Sequence, residues 1–266
     1  MFDIHQVARR HRRDDGYGGH VRLAIFADIH ANRQAFSACL EFARAHGAER
    51  IVCLGDIVGY GADPEWAVDT VMDLVDGGAI AVIGNHDQAI VTPTESMNAE
   101  AQAAIEWTRG KLSVPQRRFL AELPLTQRED DRLYVHSEAS QPARWHYVRD
   151  TPDAARSLAA TDAHVTFCGH IHRPALYSMS SAAKMTRFIP TSGVPVQLLG
   201  GRRWLVVLGS VGQPRDGDPA ASFAMLDTTS RELTYCRVPY DVEAAAERIR
   251  ANGLPHWLAD RLLVGK

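Results

Sequence analysis

Five apolar runs in this chain end in side chains that bind metals. "LAIFAD" leads to Asp28 and His30, "RIVCLGD" to Asp56, "AIAVIGNHD" to Asn85 and His86, "RLYVH" to His136, and "HVTFCGHIH" to His170 and His172. Short apolar runs bounded by Gly, Asn and Asp read as buried strands. In α/β sheets, ligand sites form beyond the carboxyl ends of strands, so donors far apart in sequence can converge there. Singly, each has an ordinary reading: an Asp after a strand caps a helix or turn, and a lone His is a satisfied or exposed side chain. Together they are more demanding, because carboxylates and imidazoles buried at one rim are costly unless cations compensate them.

The runs lie in an ordered layout. "VRLAIFAD", "RQAFSACLEFARAHG", "RIVCLGD", "PEWAVDTVMDLVDGG" and "AIAVIGNHD" alternate strand and helix patterns, as in a parallel sheet with covering helices. Gly47 and the pair Gly77 and Gly78 stand where C-terminal glycines end helices. A helical pair follows, "NAEAQAAIEWTRGKL" and "VPQRRFLAEL", forming an insert over about residues 98–123. Then strand patterns dominate: "RLYVHS", "AHVTFCGHIH", "PALYSM", "MTRFIP", "RRWLVVLGS", "SFAMLD" and "LTYCRV". Many strands with few helices between them predict a second, mostly antiparallel sheet packed on the first. The tail "YDVEAAAERIRANGLPHWLADRLL" reads as two helices divided at "NGLP". With 266 residues, 45% of them hydrophobic, one domain over residues 20–266 is expected, preceded by a loose basic arm over residues 1–19.

The donor set narrows the metal. It offers carboxylate and amide oxygen and imidazole nitrogen without thiolate, which suits Mn, Fe, Co, Ni or Zn and contains too much nitrogen for a calcium cage. Asp28, His30, Asp56, Asn85, His136, His170 and His172 are too many donors for one ion that keeps an open position. Two divalent ions sharing a carboxylate fit, with Mn²⁺ the choice for reconstitution in vitro. Cys39, Cys53, Cys168 and Cys236 lack metal-binding spacing and read as reduced, structural thiols.

Composition excludes other classes. A net charge of -3 gives no positive field for bulk nucleic-acid binding. No apolar run reaches the ~20 residues of a bilayer span, and the start lacks the layout of a secretory signal, so a cytoplasmic location without membrane attachment is expected.

"DIH", "GDIVGYG", "GNHD", a strand ending in His136, and "GHIH", in that order over residues 28–172, resemble the calcineurin-like metallophosphoesterase superfamily. "GSVGQPRDGDP" onward is similar to its small bacterial branch of phosphoesterases and protein phosphatases. The resemblance implies an α/β fold, a four-layer αββα sandwich of two mixed sheets flanked by helices. It also implies that Asp28, His30 and His172 hold one ion, that Asn85, His136 and His170 hold the other, and that Asp56 bridges. His86 would then be the catalytic side chain, steadying the phosphate or protonating the leaving oxygen. The implied activity is hydrolysis of phosphomonoesters or small phosphodiesters by metal-bound hydroxide, with a small phosphorylated substrate of which nucleotides are one class. Alternatives are a protein serine/threonine phosphatase, a dinucleoside polyphosphate hydrolase and a non-catalytic metal-binding scaffold.

The chain departs from the family pattern. Eukaryotic-type protein phosphatases read GDxVDRG in the second block, where this chain has Gly59, Tyr60 and Gly61. Asp63 is a candidate to orient His86 or to cap a helix. Val207 and Leu208 replace a common Asn-Pro, and Ser137 stands where glycine is usual after the strand-end His. Candidate substrate contacts are Asn32, Tyr60, Arg173 and Arg215. Trp145, His146 and Tyr147 are candidates either to stack a base or to pack in the core.

Overall fold

The structure, a computed structural model, describes residues 21–92 and 99–266. The expected arm over residues 1–19 and the first residue of the insert over 98–123 lie outside the described residues. The alternating first segment forms β1 (Arg22–Phe26), α1 (Arg33–Ala45), β2 (Arg50–Cys53), α2 (Pro64–Asp76), β3 (Ile80–Ala81) and α3 (Asn85–Val91). The insert is α4 (Ala99–Lys111) and α5 (Val114–Glu122). Next come β4 (Thr126–Glu129), β5 (Arg132–Val135), α6 (Thr151–Ala159), β6 (Val165–Cys168), β7 (Ala175–Ser180) and β8 (Met185–Phe188). The chain continues through β9 (Pro195–Gln197), β10 (Arg202–Val207), β11 (Ala221–Asp227), β12 (Glu232–Val238), α7 (Val242–Ala251) and α8 (His256–Val264).

Two six-stranded mixed sheets result, ordered β3-β2-β1-β11-β12-β9 and β4-β5-β6-β10-β7-β8. The expected αββα sandwich is present. The late strands, however, do not all enter the second sheet: β11 pairs with β1, and β12 with β11, both antiparallel. β11 is buried on both faces, which an interior position between β1 and β12 satisfies. The centre of the second sheet is parallel, β5 beside β6 and β6 beside β10. Each sheet therefore contributes parallel strands whose carboxyl ends face one rim.

Strand alternation sets the layers. On β1, Leu23 and Ile25 face the core between the sheets, while Ala24 and Phe26 pack against Phe36 and Leu40 of α1 and Val68 and Val71 of α2. On the far side, Ala154 and Leu158 of α6 cover Val135, Cys168 and Leu205. The helix α6 was not legible as a strand pattern, yet Asp150 caps it by accepting from Asp153 N and Pro152 stands in its first turn. The four cysteines are buried and free. Among the described residues no helix is long and apolar enough to cross a membrane.

Candidate metal centre

The loops after β1 and β2 run side by side beyond their strands. Leu54 N donates to Phe26 O, Asp28 N to Gly55 O, His30 N to Asp56 O and Ala31 N to Ile57 O, at 2.7 to 3.1 Å. This pairing brings the first two donor blocks together. It also requires unusual backbone: Asp28, His30, Asp56, His170 and His172 all have positive φ, between 49° and 70°. Left-handed non-glycine residues are costly and persist where the surroundings over-determine them, as at functional sites.

All seven strand-end donors converge. Ligand atoms of Asp28, His30, Asp56 and His172 lie within 4.8 Å of one another, as do those of Asp56, His136 and His170, so Asp56 is common to both sets. Asn85 Oδ1 lies 3.2 Å from His136 Nε2 and joins the second set. Asp56 Oδ2 is 3.7 Å from His30 Nε2 and 3.4 Å from His136 Nε2, which places it between the two. All of these residues are buried save the half-buried Asn85.

The imidazoles show what the cluster requires. His30 Nδ1 lies 3.1 Å from Val58 O and His172 Nδ1 lies 2.7 Å from Gln213 O. A carbonyl only accepts, so each ring places its N–H there. Burial pushes both rings well below the usual histidine range, so they are neutral. Their Nε2 atoms nevertheless face one another at 3.2 Å, lone pair towards lone pair, with Asp28 Oδ1 3.4 Å from His172 Nε2. A cation seated among these atoms makes that arrangement favourable. In the second set, His136 Nδ1 is held by Leu54 O at 2.7 Å and His170 Nε2 by Trp145 O at 2.9 Å. That turns His136 Nε2 and His170 Nδ1 towards each other at 3.1 Å.

The carboxylates show the same demand for positive charge. Burial pushes Asp28 up to about 7, against the pull of His136. Burial also raises Asp56, but His136, His86 and His30 together bring it well below the carboxylate range. Burial lowers His136, and Asp56 and Asp28 then carry it up to about 9. Burial, reinforced by His136, pushes His170 down to about 3. Charge that draws a proton onto His136 equally draws a divalent cation.

Backbone donors fix both carboxylates. His86 N donates to Asp56 Oδ1 at 2.8 Å, and His170 N donates to Asp28 Oδ2 at 3.0 Å. Asp87 ties the second and third blocks together, accepting from Ile57 N at 2.9 Å, Val58 N at 3.2 Å and Gly84 N at 3.0 Å. Sequence reasoning missed this clamp. Its signal was an acidic residue three positions after Gly84 at the start of a helix.

Beside the cluster opens a cavity of about 490 Å³, whose lining includes Tyr60, His86, Gln88, Arg144, Tyr147 and Arg215. His86 is buried, and its Nδ1 has no partner among the described residues. Burial pushes it down to about 4. A side chain on Gly59, whose φ is +90°, would overlap His86 Nδ1, so glycine is required there. Tyr60 packs against His30 and His86, with ring centroids 4.6 and 4.4 Å away.

Two expectations, on Asp63 and Asn32, need correction. Asp63 does not orient His86: its carboxylate takes Arg248, with Nε at 2.8 Å, and makes no side-chain cap bond to α2. Asn32 caps α1 through Ala35 N and gives its amide to Gly212 O at 2.9 Å and to Tyr240 Oη at 3.2 Å, which leaves none for a phosphate. Arg173 is exposed and donates through Nε to Arg215 O at 2.7 Å. Tyr147 stacks on His170 at 4.2 Å with Arg149 4.6 Å from the same ring, and His146 is exposed. Trp145 donates to Gln88 Oε1 at 2.9 Å. Ser137 is accommodated, its hydroxyl donating to Pro142 O at 3.2 Å, and Leu208 N makes a 2.7 Å bond to Cys168 O that proline would forgo.

The geometry agrees with comparisons to known proteins. The profile of the calcineurin-like phosphoesterase superfamily domain matches residues 21–231. The uncharacterized protein MJ0912 of Methanocaldococcus jannaschii is 33% identical over 250 residues, 92% of this chain and 98% of that protein. A metallophosphoesterase from Sphaerobacter thermophilus superposes with a TM-score of 0.83 at 33% identity, covering 93% of this chain and 100% of that one. The hypothetical protein PH1004 of Pyrococcus horikoshii shares the fold, with a TM-score of 0.75 at 20% identity over 92% of this chain and 99% of its own.

Proposed function

The chain belongs to the calcineurin-like phosphoesterase superfamily, and from that premise we propose that it is a dinuclear metal-dependent phosphohydrolase acting on small phosphate esters. The observation that carries this reading is the opposed pair of Nε2 atoms on neutral His30 and His172, set among the carboxylates of Asp28 and Asp56. Asp28, His30, Asp56 and His172 would hold one divalent ion, and Asp56, Asn85, His136 and His170 the other. When bound, two such ions acidify a water for in-line attack and offset charge on the phosphoryl oxygens.

The chain's own residues do the rest. Asp56 supplies the charge common to both donor sets, held in orientation by His86 N. The carbonyls of Val58, Gln213, Leu54 and Trp145 fix the four rings so that each points its other nitrogen at the cluster. His86 lines the cavity, which suits its ring to donate to a phosphoryl or leaving oxygen, while Nδ1 is buried against Gly59. Tyr60 packs against that ring, and Asp87, accepting from Ile57 N and Val58 N, ties its turn to the loop after β2. The description of the Sphaerobacter relative as a metallophosphoesterase supports the same activity.

Incubated with Mn²⁺, the protein is expected to release p-nitrophenol from p-nitrophenyl phosphate or its bis ester, and chelation should abolish release. Bound ions without turnover of either ester would leave a metal-binding scaffold and defeat the proposal.

A further inference from the structure

We infer that Arg215 selects terminal phosphoryl groups over diesters at this site, an inference that rests on the phosphohydrolase reading. Arg215 lines the cavity beside the first donor set, its backbone N–H donating to His172 O at 3.2 Å. Its Nε and Nη2 both donate to Gln213 Oε1, at 3.1 and 2.6 Å. Its Cζ lies 5.6 Å from the Tyr60 ring centroid, and that ring in turn touches His30 and His86. The guanidinium is thus held along one edge by an amide and over an aromatic ring.

The partners are notable for being neutral. Other part-buried guanidinia divide: Arg132 takes Asp130 and Arg237 takes Asp216, whereas Arg109 and Arg203 take backbone carbonyls, and Arg215, on the amide oxygen of Gln213, joins this second, neutral group while lining the cavity. Among the described residues no carboxylate lies within ion-pair distance of Arg215. Its charge is felt nearby: burial first, and then Arg215, push Arg261 down to about 10. A cation kept short of counter-charge at the edge of a cavity is suited to an anionic ligand.

Holding it there has a cost. Gln213 is almost fully buried, and with Oε1 turned to the guanidinium its Nε2 is left without a partner. Flipping the amide would point N–H groups at N–H groups, so the guanidinium dictates the orientation. The same residue's carbonyl accepts from His172 Nδ1 at 2.7 Å. Gln213 therefore sets the position of Arg215 relative to a candidate metal ligand.

A phosphomonoester presents one more non-ester oxygen, and up to one more negative charge, than a diester. Arg215 is placed to receive that extra oxygen through its remaining N–H groups. A diester has no such group to offer, so its binding should be largely indifferent to Arg215.

Arg215→Gln and Arg215→Lys, each loaded with Mn²⁺, would be titrated calorimetrically with inorganic phosphate and with dimethyl phosphate, and their metal content measured. Arg215→Gln should weaken phosphate about 10- to 100-fold, change dimethyl phosphate by less than about 3-fold and keep its ions, with Arg215→Lys intermediate. Equal weakening of both ligands, unchanged phosphate affinity or loss of metal would overturn the inference. If Arg215→Gln does not fold, the same ratio in Arg215→Lys decides. Wild-type turnover with an unchanged ratio in the variants sinks this inference alone. Wild-type protein that carries ions but neither binds phosphate nor cleaves either ester sinks the phosphohydrolase reading and this with it.

Discussion

Asp56→Asn is expected to release both cations together and to cut phosphoester hydrolysis roughly a thousandfold or more. Two unit charges 4 Å apart at an effective dielectric of 20 interact by about 4 kcal/mol, so two dications at that distance repel by about 16 kcal/mol. A carboxylate common to both sets offsets much of this, and losing even ~4 kcal/mol of its contribution lowers metal affinity about a thousandfold. Asparagine keeps the oxygen that accepts from His86 N, so the turn holding His86 should survive. Metal content after gel filtration, measured by plasma mass spectrometry alongside a thermal melt, checks this. Retention of one ion at full occupancy would assign Asp56 to a single set.

His86→Ala should act differently. The side chain lines the cavity and is held by packing rather than by a ring hydrogen bond, whereas its bond to Asp56 runs through the backbone, which alanine retains. Hydrolysis should fall about 10²- to 10⁴-fold, the usual range for a proton-donating group, with both ions still present. Loss of metal with activity would make His86 a ligand.

Much of the site was written in the sequence because its donors follow apolar runs, and burial periodicity is a local signal. Asp28, Asp56, His136 and His170 stand one to three residues past strand ends, so topology had only to align the strands. What decides the rest is not local. β11 reads like any buried strand, and its place beside β1 depends on partners 200 residues away. β9 is three residues long and includes Pro195, too short to register as a period. "GNHD" looks like a turn, yet Asn85 begins α3, because Asp87 reaches back to Gly84 N. The left-handed backbone at His30, His170 and His172 follows from the crossing of loops that the sequence does not juxtapose. Asn32 and Asp63 illustrate the converse: polar residues near a site whose bonds are taken by the scaffold.

Tyr60 stands where the protein-phosphatase pattern GDxVDRG has arginine. In the fold, Tyr60 packs against both His30 and His86 and beneath Arg215, so the loop after β10 brings a guanidinium to the same wall. Gln213, which positions it, carried no sequence signal beyond a Gly-rich surrounding.

The central claim is a pair of cations sharing Asp56, and anomalous X-ray scattering from crystals of the Mn²⁺-loaded protein tests it most directly. Two peaks flanking the Asp56 carboxylate, one towards His30 and His172 and one towards His136 and His170, are the predicted result. A single peak, or none at these residues, would contradict it.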